Sequence, residues 1–147
     1  MRISTRGRYA LRAMVDLALH TDGGAVSRCD IATRQGISAD YVAQLFRRLR
    51  VAGLVEGVRG PGGGYRLARD ATTIYAKDVV WAVEGPIDVT GCVAVGGDLA
   101  CQRVEECVTR VVWQLVARAV EEVLSEITLA ELRDKARTLV MQDVEVE

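Results

Sequence analysis

At 147 residues with a formal net charge of −1, the chain is long enough for one cored domain with an appendage and too short for several. No apolar run approaches the ~20 residues of a membrane span, and arginines interrupt the amino terminus where a secretion signal needs an unbroken apolar core. A cytoplasmic protein with no membrane partner is expected, and in that reducing setting four cysteines favour metal binding over structural disulfides. The small net charge hides an asymmetry: residues 1–70 hold 12 arginines against 6 carboxylates, and residues 71–147 hold 7 basic against 14 acidic side chains. An all-arginine excess points to an anionic partner, because the guanidinium fork matches phosphate oxygens and guanine edges.

Taken in chain order, Tyr9, Met14 and Leu17 lie at helical spacing and predict a helix over 7–20, ended by Thr21-Asp22-Gly23-Gly24. His20, the single histidine, falls at its end and reads as a cap or a solvated side chain rather than a ligand. Ser27 with Asp30 reads as a capping box opening a helix over 28–35, which Gly36 ends. Cys29 on that helix is expected to pack against a neighbouring helix. Ser38 caps a third helix over 39–51, striped by Val42, Leu45, Phe46 and Leu49. Its other face shows Ala39, Asp40, Ala43, Gln44, Arg47, Arg48 and Arg50. A short helix, a glycine turn and a longer helix with Gln and Arg outward form a helix-turn-helix pattern. Gln pairs bidentately with adenine, and Arg with guanine or phosphate.

Residues 54–59 alternate like a strand, Gly60-Pro61-Gly62-Gly63-Gly64 must turn, and residues 65–68 return. A hairpin directly after a recognition-type helix is a wing. Its glycine tip lets backbone amides approach phosphates, and Arg59 is placed to enter a minor groove. A nucleotide-binding loop is excluded, since no Gly-Lys-Ser/Thr is present and no helix start follows.

Three cysteines then fall inside sixteen residues, Cys92, Cys101 and Cys107, spaced Cys-x8-Cys-x5-Cys around Gly96, Gly97 and Asp98. Thiolates clustered on a turning loop suit a soft metal or iron–sulfur centre; three separately buried thiols are the alternative. A short helix over 76–85, ended by Pro86, precedes them. From about Val104 a long helix places Val104, Cys107, Val108, Val111, Leu115, Ala119, Val123 and Ile127 on one side. At ~1.5 Å per residue it spans roughly 30 Å, more apolar stripe than one small domain covers, so a second copy is the expected partner. Thr128 and Glu131 form a capping box for a last helix, and residues after Val140 read as a frayed acidic tail.

MRISTRGRYALRAMVDLALH, SADYVAQLFRRLR, GLVEGVRGPGGGYRLARD and the three later cysteines together resemble the IscR-type iron–sulfur cluster regulators, over residues 1 to about 135. The resemblance implies a homodimer binding a double-stranded DNA operator through winged helix-turn-helix domains, with a long dimerisation helix. It also implies a [2Fe–2S] cluster on Cys92, Cys101 and Cys107, whose state alters which operators are bound. The family's usual fourth ligand, a histidine three residues after the last cysteine, is here Arg110, which is cationic and has no lone pair. Nitric-oxide-sensing relatives take a carboxylate from the partner subunit, but the matching position is Arg8. Asp98, Glu105, Glu106, a water, an external thiol or an unoccupied iron site remain for the fourth position, and three thiolates with one exchangeable site also suit a [4Fe–4S] cluster.

The expected fold is therefore mainly α with a small β-hairpin wing. Residues 1–75 form a winged helix-turn-helix domain, 76–103 a linking helix and cysteine loop, 104–140 dimerisation helices, and 141–147 an acidic tail. Expected DNA contacts are Ser38, Asp40, Tyr41, Gln44, Arg47, Arg48 and Arg50 on the third helix, and Arg59, Gly60, Gly62 and Gly63 on the wing. The function expected is transcription regulation modulated by the cluster. A cluster-free, thiol-based redox sensor is the alternative, and a metal-dependent oxidoreductase is disfavoured for want of Cys-x-x-Cys or a cofactor-binding pattern.

Overall fold

A computed structural model describes residues 3–91, 101–103 and 105–145; Cys92, Val104, Gly96, Gly97 and Asp98, named above, lie outside them. Six helices and one hairpin follow in chain order: α1 (Thr5–His20), α2 (Arg28–Gln35), α3 (Ala39–Val51), β1 (Val55–Val58), β2 (Gly64–Leu67), α4 (Ala76–Glu84), α5 (Arg110–Glu126) and α6 (Leu129–Glu145). The expected mainly helical fold with a hairpin wing is the one observed.

Short polar side chains set most of the helix starts, because they satisfy amides that have no intrahelical partner. Ser27 Oγ accepts from the Asp30 N–H at 3.0 Å, and Ser38 Oγ from the Tyr41 N–H at 3.1 Å. Gly36 sits between the two helices in the left-handed region, with φ +66°. α1 starts at Thr5 rather than at Gly7, because Ser4 is its cap.

The α3 stripe of Val42, Leu45, Phe46 and Leu49 is fully buried against Ala10, Ala13, Met14 and Leu17 of α1 and Ile31 of α2. Val79 and Val83 of α4 and Leu129 of α6 complete this core. The hairpin is antiparallel with Val55 opposite Leu67 and Val58 opposite Gly64. Tyr65 and Val26 exchange both backbone hydrogen bonds at 2.8 Å, so the wing is docked on the segment leading into α2. Tyr65 also lies on Phe46, ring centroids 4.4 Å apart. A second backbone exchange, Ala76 N–H to Ile127 O and Leu129 N–H to Ile74 O, both at 2.8 Å, ties the entrance of α4 to the α5–α6 corner.

Three expectations are corrected. The long helix begins at Arg110, not near Val104, so Cys107 precedes it by three residues instead of starting it. Residues 105–106 and 108–109 form turns on either side of Cys107, and the helix of 17 residues is about 25 Å long. The segment after Val140 is no frayed tail through its described length, since α6 continues to Glu145 without a Gly or Pro to stop it. Cys29 is exposed in the first turn of α2 rather than packed against a neighbour, because the buried positions of that helix are Ile31 and Ala32.

Candidate nucleic-acid interface and cysteine site

Burial of one α3 stripe dictates what the helix offers outward. At 100° per residue, Asp40, Gln44, Arg47 and Val51 fall opposite the buried side chains, and all four are exposed. Val51, 85 % exposed, was missed by sequence reasoning, which ended its count of the outer face at Arg50. The other expected contacts divide. Ser38 is exposed, but its hydroxyl is engaged as the helix cap. Tyr41 turns toward α1, meeting Tyr9 edge-on with ring centroids 6.0 Å apart. Arg50 reaches the wing, its Nη1 lying 3.8 Å from where a Cβ on Gly57 would sit. Arg48 turns to α4 and donates from Nη1 to the Val83 carbonyl at 3.2 Å.

The wing tip is closed by Gly63 N–H donating to Gly60 O at 2.9 Å. Gly60 and Gly62 adopt φ of +87° and +73°, conformations that an L side chain rarely takes. Arg59, Gly60 and Gly62 are exposed there, whereas Gly63 is half-buried: a Cβ on it would lie 2.3 Å from Val58 O. Across the strands, Arg66 Nε donates to Glu56 Oε2 at 2.9 Å, a solvent-facing pair.

Beneath this surface the helix pair is held in register by one buried carboxylate. Asp16 of α1 is 3 % exposed and accepts a fork from Arg34, Nη2 to Oδ1 at 2.8 Å and Nε to Oδ2 at 2.9 Å. Gln35 Nε2 adds a third donor at 2.9 Å. The bond to Asp16 raises the Arg34 pKa above its ordinary value. His20, as expected for the end of α1, makes a local contact, its Nδ1 lying 2.8 Å from the Asp16 carbonyl oxygen.

Of the three clustered cysteines, Cys101 is exposed and Cys107 is half-buried. Cys107 Sγ lies 3.2 Å from Thr109 Oγ1, just ahead of α5. The Thr109 hydroxyl, then the Arg110 N–H, hold its thiol pKa below the ordinary cysteine value, and the Arg110 charge adds to the effect. The start of a helix favours a thiolate for the same reason it favours any anion. Arg110 contributes no lone pair, and its Nε is buried without a hydrogen-bond partner. Glu105 and Glu106 are exposed on the turns before Cys107. Among the described residues no three His, Cys, Asp or Glu side chains converge on a common point; Cys92 and Asp98 lie outside that set.

A short helix and a glycine turn lead to a longer helix with exposed Gln and Arg, followed by a docked hairpin: together they define a winged-helix DNA-binding regulator. Comparison with known proteins places the chain further. The Rrf2 family, described as iron-dependent transcriptional regulators, matches residues 3–135, and the chain belongs to it. It is 46 % identical over 143 residues to the HTH-type transcriptional regulator IscR of Erwinia tasmaniensis, a match covering 97 % of this chain and 85 % of that one. Among solved structures, T. potens IscR shares 40 % identity with a TM-score of 0.72, covering 92 % of this chain and 88 % of the other. CymR, the global cysteine regulator of B. subtilis, shares 36 % identity with a TM-score of 0.73, covering 92 % and 98 %. The protein is thus a transcription regulator and not an enzyme, in agreement with the reading of its sequence. No described helix is long and apolar enough to cross a membrane.

Proposed function

We propose that the protein is a homodimeric regulator whose operator affinity is set by an iron–sulfur cluster held on Cys92, Cys101 and Cys107. The observation that carries this reading is Cys107: a half-buried thiol 3.2 Å from the Thr109 hydroxyl and beside the Arg110 N–H at the start of α5, with its pKa depressed. Soft thiolate donors with low proton affinity are the ligands such a centre requires. When bound, the group supplies an iron centre whose gain, loss or change of redox state alters the charge and geometry of that corner. The fourth position falls to Asp98, Glu105, Glu106 or an exogenous donor, because Arg110 cannot fill it. In this reading Gln44 and Asp40 face bases and Arg47 a phosphate. Ser38, Tyr41 and Arg50 border the contact, and Arg59 with Gly60, Gly62 and Gly63 forms the wing's share of it. By linkage, the cluster shifts operator affinity only as far as its own affinity differs between the two DNA-binding states.

Purification without oxygen, followed by iron and sulfide determination and Mössbauer spectra, tests the proposal. About two irons per chain assign a [2Fe–2S] cluster, and about four a [4Fe–4S] cluster. Protein without iron that still binds operator DNA sinks the cluster reading. It would favour the second one, a thiol-based redox sensor, which the same depressed thiol of Cys107 supports.

A further inference from the structure

The carboxyl end of α4 is where the recognition helix and the first helix meet. Val83 O belongs to the last turn of α4, where carbonyls lack intrahelical donors and the helix dipole is negative. Two guanidinium groups converge on it: Arg48 of α3 and Arg6 of α1, each donating from Nη1 at 3.2 Å. The next residue completes the junction with opposite sign. Glu84 Oε1 accepts from the Gly7 N–H at 2.7 Å and from the Ser4 hydroxyl, placing a carboxylate on the positive end of α1. A Cβ on Gly7 would lie 2.3 Å from Glu84 Oε1, so any larger residue there would have to displace this carboxylate. Beyond this clamp only residues 85–91 separate α4 from Cys92. That link includes a tight turn in which Asp88 Oδ1 accepts from Gly91 N–H at 2.7 Å and Thr90 N–H at 3.0 Å.

We propose that Arg48 is a positioning residue rather than a phosphate contact, and that the Val83–Glu84 clamp carries the state of the cysteine segment to α3 within one subunit. This rests on the cluster reading given above. A carbonyl oxygen has two lone pairs, so both arginines are satisfied at once and the orientation of α3 relative to α1 depends on where that oxygen lies. A shift of about half an ångström in Val83 O takes the Arg48 bond beyond hydrogen-bonding range. Tension in the segment 85–91, applied when Cys92 is ligated or released, acts on that oxygen first.

The test uses the full chain with and without its iron, and a duplex selected from random sequence by the wild-type protein. Arg48→Ala is expected to leave the salt dependence of DNA binding as in wild type, while Arg47→Ala reduces the slope by about 1. The ratio of operator affinities between iron-loaded and iron-free protein, about 5- to 150-fold for a working allosteric pair, is expected to fall toward one in Arg48→Ala. A merely structural role would shift the melting temperature and leave that ratio intact. Should the alanine variant unfold in the assay, Arg48→Met, which keeps an aliphatic stem and has no donor, takes its place. A reduced salt slope in the Arg48 variant, or a wild-type ratio retained in it, overturns the clamp and leaves the cluster reading standing. A wild-type chain that binds no iron overturns both.

Discussion

A methyl group on Gly64 would lie 2.0 Å from Val26 O and 2.8 Å from Ser27 Cα, both of them backbone atoms that cannot step aside. The glycine is therefore required by the close approach of β2 to the chain entering α2, which the Val26–Tyr65 hydrogen bonds enforce. Gly62, two residues away, has open space around it and needs glycine only for its φ of +73°. The two roles predict different costs. Gly62→Ala is expected to cost about 1 to 2 kcal/mol, the penalty of a left-handed L residue. Gly64→Ala is expected to exceed about 3 kcal/mol, because overpacking against backbone adds to any torsional strain and undocks the wing. Urea denaturation of the two variants separates them, and equal midpoints would remove the close-approach argument. The glycine run was legible in the sequence as a turn. Which glycine was held by space and which by torsion was not, because Val26 is far from it along the chain. The same holds for Asp16 and Arg34, whose fork joins residues 18 apart and carries no local signal.

At the scale of whole elements, three starts were legible because their Ser or Thr caps were read in the sequence, whereas the Ser4 cap of α1 was not read and its start was placed two residues late. Ser27, Ser38 and Thr128 each act within three residues, so α2, α3 and α6 begin where the sequence places them. The stripe from Val104 through Val111 has helical spacing, yet residues 105–109 are not helical, and Val108 is left exposed. Periodicity reports where apolar side chains would fall in a helix, not whether the amides are paired. The best-formed start is that of α6: Thr128 N–H donates to Glu131 Oε2 at 2.7 Å, and Glu131 N–H to Thr128 Oγ1 at 3.1 Å. The Thr128 backbone N–H, then its hydroxyl, hold Glu131 below its ordinary carboxylate pKa. A depressed folded value stabilises the fold in full above the unfolded value, about 4.3, and is lost as pH falls through the folded one. Glu131→Ala is therefore expected to melt lower than wild type at neutral pH, with the gap closing as pH drops below the unfolded value of about 4.3 and through the lower folded one. A gap that stayed constant over that range would mean the carboxylate charge plays no part in the cap.

For the whole molecule, the two sides of α5 behave differently. One is held by α4: Ala117 is buried, and Lys77 bonds Glu121 at 2.7 Å while lying 4.5 Å over the Trp81 ring. The other carries Val112, Leu115, Ala119 and Val123 at spacings of three and four, with Leu115 57 % exposed. An apolar stripe at that spacing, bare along a helix of about 25 Å, matches what one strand of a two-helix seam presents. The proposed homodimer covers it with the same stripe of a second copy, so each contact is made twice and a single substitution is felt twice. It also sets the separation of the two recognition helices, which is what makes a two-fold operator readable. Leu115→Glu is expected to convert the protein to a monomer in sedimentation, because two carboxylates would face each other in an apolar seam. Operator affinity should then fall roughly 10²- to 10⁴-fold, the advantage lost when two linked half-sites are no longer engaged together. Affinity for an isolated half-site should stay near the wild-type value, since α3 and the wing lie on a different part of the core. A dimer of unchanged mass and unchanged operator affinity would show that α5 is covered by something other than its own copy.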